Sequence, residues 1–174
     1  MEGKEPRNVR FFEFLSKEER AEFAEAAELA VFRPGEVLIE EGTEPSNLFV
    51  LISGSVEVSK RIPENGDRLL AVLGATNERT VVGERGLFGD GEASATVKAR
   101  EEVEAIKMPR EKFRAMIREG RPAAYKLAYR IARILARRLR RLDEEVVETI
   151  RELENRGETD LDVFRDKLIT EWTV

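Results

Sequence analysis

The sequence predicts an α+β fold, in which a barrel or roll of short strands lies between an N-terminal helix and a long C-terminal helix. Apolar residues recur at helical spacing after Ser16, and short β-branched runs separated by turn residues then continue to about Met108. Beyond residue 121, leucine and valine recur at alternating steps of four and three residues. A chain of 174 residues suits one domain with an appendage.

The N-terminal helix has a clear start signal. Ser16 is followed three residues later by Glu19, which is the capping-box pattern, and Phe23, Ala26 and Ala30 lie on one helical face. We therefore predict a helix over residues 17–29. Residues 1–10 are polar and are expected to be loose.

The middle of the chain reads as strands divided by turns. Asn65 and Gly66, between two apolar runs, give the strongest hairpin signal. Strands are predicted over residues 37–40, 48–53, 55–61, 68–73, 80–82, 93–99 and 103–107. Short strands at this spacing are typical of a barrel or roll.

Two helices are predicted after the strands, over residues 110–118 and from residue 121 to about 155. The long helix carries a heptad seam, formed by Leu135, Leu139, Leu142, Val146, Thr149 and Leu153, with Leu127, Ile131 and Ile134 upstream. Its lower half extends past anything that a small roll could cover. We therefore predict a homodimer whose interface contains Leu135, Leu139, Leu142, Val146 and Leu153.

Composition excludes several classes of protein. The chain has no cysteine and no histidine, so a disulfide, a thiolate nucleophile, a zinc finger or a Cys/His triad is impossible. No metal site is predicted, and the expected location is the cytoplasm. A net charge of −5 does not favour nucleic-acid binding, and the absence of a long apolar run predicts no membrane association.

Residues 81–97 form the candidate site. Gly83, Glu84 and Gly86 follow a β-branched pair, and a second glycine-rich turn leads into another β-branched run. Glycine lets the backbone approach a ligand closely, and a carboxylate suits a sugar hydroxyl. Taken alone, the pattern also fits a plain tight turn between strands.

Spaced motifs in the same order resemble the cyclic nucleotide-binding domain family over about residues 11–142. The matching residues are Pro34-Gly35-Glu36, Glu41-Gly42, Leu48-Phe49-Val50, Ser53-Gly54, Val56-Glu57-Val58, Gly83-Glu84 and Ser94-Ala95-Thr96-Val97. This resemblance implies an antiparallel, jelly-roll-like β-roll of about eight strands.

The resemblance also implies roles for the site. Glu84 would bind the ribose 2′-hydroxyl, the N–H groups of Arg85 and Gly86 would face the cyclic phosphate, and Ser94 would add a hydroxyl. Members of the family that bind a cyclic nucleotide carry arginine just before the Ser-Ala-Thr-Val run, where this chain has Ala93. Weak or absent binding of cyclic AMP and cyclic GMP is therefore expected.

The predicted domains are a loose segment (1–10), a cyclic nucleotide-binding-type domain (11–120), a dimerisation helix (121–156) and a helical tail (157–174). The tail is too short for a helix-turn-helix, so no DNA-binding domain is expected. No catalytic residue is expected, because the glutamate has no acid/base partner, and no cofactor is expected apart from a cyclic nucleotide ligand.

Two functions remain open at this level. The first is a regulatory sensor whose long helix changes pose when the pocket fills. The second is a ligand-free scaffold that dimerises and docks a protein partner. The resemblance to dimeric regulators implies parallel helices in the dimer, whereas antiparallel helices would match the basic half of the long helix to its acidic half.

Overall fold

The computed structural model describes residues 10–75, 81–89 and 91–155. Within them the chain forms eight strands and four α-helices, preceded by a short 3-10 turn at Arg10–Phe12. The strands are β1 (Glu28–Phe32), β2 (Val37–Ile39), β3 (Asn47–Ser53), β4 (Ser55–Ile62), β5 (Gly66–Gly74), β6 (Val81–Val82), β7 (Thr96–Ala99) and β8 (Val103–Pro109). The helices are α1 (Lys17–Ala26), α2 (Glu84–Phe88), α3 (Arg110–Arg118) and α4 (Pro122–Asn155).

The strands form two antiparallel sheets of four strands each, in the orders β1-β8-β3-β6 and β2-β7-β4-β5. Side chains from both sheets pack into one core, in which Phe49 and Leu51 of β3 meet Val56 of β4 and Val97 of β7. Alternate residues of each strand therefore face the interior. The predicted α+β fold with an antiparallel roll is confirmed.

The first helix is shorter than predicted. Ser16 forms the predicted capping box, because its hydroxyl accepts from the N–H of Glu19 while the Glu19 carboxylate accepts from the N–H of Ser16. The helix ends at Ala26, however, and Leu29 lies in β1, a strand that was not predicted. β1 pairs with β8, so the backbone hydrogen bonds of a sheet replace those of another helical turn.

The predicted hairpin lies between β4 and β5. Glu64 and Gly66 both have positive φ, at 67° and 72°, and the N–H of Asn65 donates to the Ile62 carbonyl at 3.1 Å. The predicted strand over residues 93–99 is shorter, because only Thr96–Ala99 pairs with β4. The other predicted strand ends differ by one or two residues.

The N-terminal segment packs against the start of α4. Lys126 donates to both carboxylate oxygens of Glu19, at 2.6 and 2.9 Å, and Arg121 lies 2.6 Å from Glu22. The hydrogen bond from Lys126, with that from the Ser16 backbone, holds the pKa of Glu19 below its ordinary value. The Arg130 guanidinium also lies 4.9 Å from the Phe11 ring centroid.

The chain divides into two compact units within α4, at Ile131 and Ala132. Leu127 and Ile131, in the first unit, are fully buried. No described helix is long and apolar enough to span a membrane. The predicted helical tail, the residues 1–9 and the residues 76–80 lie outside the described residues.

Candidate functional site

Gly83 forms the turn that connects β6 to α2. Its φ and ψ are 83° and 13°, in the left-handed region that favours glycine. A Cβ atom at this position would lie 2.5 Å from the Asn47 carbonyl oxygen and 3.0 Å from Cδ1 of Ile39. Two independent constraints, backbone conformation and close packing, therefore require glycine here.

Gly86 is buried within α2 and packs on the loop that precedes β3. A Cβ atom there would lie 2.6 Å from the Pro45 carbonyl oxygen and 2.9 Å from its Cβ atom. The N–H of Gly86, predicted to face a phosphate, donates to the Gly83 carbonyl at 3.1 Å. In this structure the turn is therefore closed by its own hydrogen bond. Glu84 is half-buried and Arg85 is exposed.

Ala93 lies in the second half of the predicted site, just before β7. Its side chain is buried, its N–H donates to the Thr43 carbonyl at 2.7 Å, and its carbonyl accepts from the N–H of Gly42 at 3.0 Å. The backbone at position 93 is thus fixed on both sides. Ser94, the next residue, is exposed.

The loop between β2 and β3, residues 40–46, brings the two halves together. Gly42 and Thr43, in its first part, form backbone hydrogen bonds with Ala93, and Pro45, in its last part, packs on Gly86. Arg110 fastens the last part of the loop: its N–H donates to the Ser46 carbonyl at 2.8 Å, and its Nη1 lies 2.7 Å from the Glu44 carboxylate.

Arg110 is buried, although its carboxylate partner is largely exposed. Arg110 was not among the predicted site residues. Nothing in the local pattern distinguishes this arginine from its neighbours at the start of α3, because its burial arises from contacts with a loop more than sixty residues earlier.

Glu41 and Lys60 form a second network beside Ala93. Lys60 donates to the Ser94 carbonyl at 3.0 Å and lies 3.7 Å from the Glu41 carboxylate. The same carboxylate accepts from the N–H of Arg61 at 2.8 Å, and the N–H of Glu41 donates to the Thr96 hydroxyl at 3.1 Å. Lys60 was not among the predicted site residues, although its alternation with Val56 and Val58 on β4 was a usable signal.

Within residues 10–75, 81–89 and 91–155, no cluster of three or more acidic side chains is placed to hold a metal ion. The polar groups around the 40–46 loop include backbone amides and carbonyls, the Glu41 and Glu44 carboxylates, and the Lys60 and Arg110 side chains.

Several of the residues predicted to form the dimer interface are exposed to solvent. Leu139 and Leu142 are 54% and 56% exposed, and Val146 is 38% exposed. Leu135 is half-buried, and the Leu153 side chain lies outside the described residues. Leu127 and Ile131 are fully buried within the chain, so they do not belong to this exposed stripe.

Two antiparallel sheets that enclose one core, with a glycine turn and a short helix between β6 and β7, define a β-roll domain. Residues 29–119 match the family described as "Cyclic nucleotide-binding domain", and the chain belongs to that family. The expectation drawn from the sequence motifs is thereby confirmed.

Transcriptional regulators are among the known proteins similar to this chain. The "CRP-like cAMP-activated global transcriptional regulator" of Mycobacterium tuberculosis is 30% identical over 119 residues, which are 68% of this chain and 50% of that protein. The chain thus spans about half the length of this curated relative.

Solved structures give the same picture. The Catabolite Activator Protein of Thermus thermophilus has a TM-score of 0.67 and 30% identity, with 83% of this chain and 65% of that chain covered. A "regulatory subunit of a cAMP-independent protein kinase A" of Trypanosoma cruzi, bound to guanosine, has a TM-score of 0.55 and 26% identity. The match covers 67% of this chain and 39% of that one.

Proposed function

We propose that the chain is a non-catalytic regulatory module of the cyclic nucleotide-binding type, which acts as a homodimer and binds cyclic AMP and cyclic GMP weakly or not at all. The observation that carries the proposal is Ala93. A methyl group stands where the family resemblance places an arginine, and hydrogen bonds to Gly42 and Thr43 fix its backbone.

The expected loss of affinity follows from the charge of the phosphate. A buried phosphate without its bidentate guanidinium partner loses about 3–5 kcal/mol, which corresponds to two to four decades in Kd. The close packing at Gly83 and Gly86 constrains the shape of the turn, whereas the methyl group at position 93 supplies no charge.

The relative from Trypanosoma cruzi supports this proposal, because that protein is described as cAMP-independent and is bound to guanosine, a nucleoside without a phosphate. The site residues also support a non-catalytic role. Glu84 is the only carboxylate in the predicted set, and acid/base chemistry requires a second group.

Dimerisation is supported by the exposed stripe on α4. Leu139, Leu142, Val146 and Val147 are between 38% and 56% exposed, and they follow one another along successive turns of the same helix. A continuous apolar stripe of this kind is uncommon on a monomer. A second copy of the helix would cover it with the same residues.

The test is calorimetric titration of the full chain with cyclic AMP and cyclic GMP. We expect no binding, or binding weaker than micromolar, and a gain of at least about a hundredfold in the Ala93→Arg variant. Ala30→Arg, which adds the same charge in β1, is the control and should gain nothing. Micromolar or tighter binding by the unmodified protein, abolished by Glu84→Ala, would refute the proposal.

A second candidate function is a ligand-free scaffold that dimerises and docks a protein partner. It is favoured by apolar side chains exposed on the edge strands of the two sheets: Leu29 and Val31 in β1, and Leu69, Leu70 and Val72 in β5. If the Ala93→Arg variant also fails to bind any cyclic nucleotide, the scaffold becomes the better explanation.

A further inference from the structure

A cation already lies beside the residue that replaces the arginine. The Lys60 ammonium donates to the carbonyl of Ser94 at 3.0 Å, one residue after Ala93. Lys60 belongs to β4, which pairs with β7 up to the Ser59 and Thr96 positions. The ammonium therefore lies beside residues 93–95, the segment that immediately precedes β7.

The strand geometry places Lys60 on the inner face of the sheet. Side chains alternate along a strand, and Val56 and Val58 of β4 both pack in the core. The irregularity in the β4–β5 pairing adds a residue to β5 rather than to β4, so the alternation along β4 continues. Lys60 is thus the next inward position, at the open end of the roll.

Glu41 is fixed, whereas the ion pair between Lys60 and Glu41 is weak. The Glu41 backbone N–H donates to the Thr96 hydroxyl, and its carboxylate accepts from the N–H of Arg61. The Lys60 side chain is 48% exposed, and its ammonium lies 3.7 Å from the same carboxylate. An exposed pair at this distance is weak, so the ammonium can leave Glu41 for a stronger anion with little penalty.

We propose that Lys60 supplies the positive charge of the ligand site in place of the missing arginine, and that it makes the site prefer an anionic nucleotide to the neutral nucleoside. This inference rests on the proposed function. On binding, the ammonium exchanges its contacts with Glu41 and the Ser94 carbonyl for one phosphate oxygen. An ammonium is a compact point charge without the fork of a guanidinium, so the affinity remains below that of an arginine site.

The experiment measures the binding of cyclic AMP and of adenosine to the full chain by NMR titration, which reaches millimolar dissociation constants. We expect cyclic AMP to bind more tightly than adenosine. Lys60→Met, which keeps the aliphatic stem, should lose about tenfold in affinity for cyclic AMP and nothing for adenosine. Lys60→Arg should retain the preference, and Glu41→Gln should strengthen cyclic AMP binding by removing the competing charge.

Lys98→Met is the matched control. Lys98 lies on β7, is 44% exposed and pairs with Glu57 at 4.0 Å, but it alternates with the core residue Val97 and so faces outward. The Lys98→Met substitution should leave the affinities for cyclic AMP and for adenosine unchanged. Equal losses in the Lys60 and Lys98 variants, or an equal loss for cyclic AMP and adenosine in Lys60→Met, would overturn the inference.

Failure of the inference can be separated from failure of the proposed function. If the unmodified chain binds no cyclic AMP while Ala93→Arg does, Lys60 has no such role but the proposed function stands. If neither protein binds it, both are refuted. A Lys60→Met variant that fails to fold is replaced by Glu41→Gln, whose unchanged affinity for cyclic AMP would also overturn the role of Lys60.

Discussion

Replacement of Gly83 by alanine tests whether close packing, and not only backbone conformation, fixes the turn of the candidate site. Gly83 and Gly66 have similar left-handed conformations, with φ of 83° and 72°. A Cβ atom at Gly83 would lie 2.5 Å from the Asn47 carbonyl oxygen, whereas one at Gly66 would have no atom within 4 Å. The two substitutions therefore share the conformational strain and differ in the steric overlap.

The magnitudes follow from these two terms. An alanine in the left-handed region costs about 1–2 kcal/mol, and both variants carry this cost. The overlap at Gly83 is with a backbone atom, which yields only by a shift of the chain, and overpacking of this kind costs about 1–3 kcal/mol more. We therefore expect Gly83→Ala to lower the free energy of unfolding by about 2–5 kcal/mol and Gly66→Ala by about 1–2 kcal/mol.

The assay is urea denaturation of both variants and the unmodified chain at one protein concentration, since the proposed dimerisation would make the apparent stability depend on concentration. Gly120→Ala is an additional control, because Gly120 has a φ of 72° and a Cβ atom added there would meet open space. Losses of stability that agree within about 0.5 kcal/mol for Gly83→Ala and Gly66→Ala would refute the steric argument, since that is the usual scatter of such values.

Two other predictions concern assembly and pH. Replacement of Leu139 and Leu142 by glutamate should remove roughly 4 kcal/mol of apolar burial per dimer and weaken dimerisation by about three decades in Kd, as measured by light scattering. The control variant Arg141→Glu should leave the Kd of the dimer unchanged. An unchanged dimer mass at tens of micromolar in the Leu139 and Leu142 variant would contradict this prediction. The pKa of Glu19 is lowered in the folded chain. The contribution of Glu19 to the free energy of unfolding is therefore complete above glutamate's ordinary pKa of about 4.3, and it is lost as the pH falls through the lower pKa of the folded state. Glu19→Gln should remove that part of the acid sensitivity in urea titrations at several pH values, and an unaltered pH profile would count against it.

Local sequence signals predicted much of the architecture. The capping box at Ser16, the turn at Asn65 and Gly66, and the helix over Arg110–Arg118 all depend on residues within a few positions of one another. Such signals act through hydrogen bonds and backbone preferences that do not need the rest of the fold. The spaced motifs then identified the family, which the match over residues 29–119 confirms.

In strand β1, tertiary contacts override the local sequence signal. Leu29 and Ala30 continue the helical spacing of the preceding residues, yet they pair with Ile106 and Ala105 of β8. Helical periodicity in a short segment is a weak preference, and pairing with a strand that lies more than seventy residues later overrides it.

In the candidate site, too, some features follow from the sequence and others only from the tertiary structure. The sequence by itself determined which residue types are present: glycines at 83 and 86, glutamate at 84 and alanine instead of arginine at 93. Only the tertiary structure decided that the loop over residues 40–46 joins the two halves, that Arg110 is buried against it and that Lys60 lies beside Ser94. These contacts join residues that lie far apart in the chain, and their distances are set by the packing of two sheets, which no local pattern encodes.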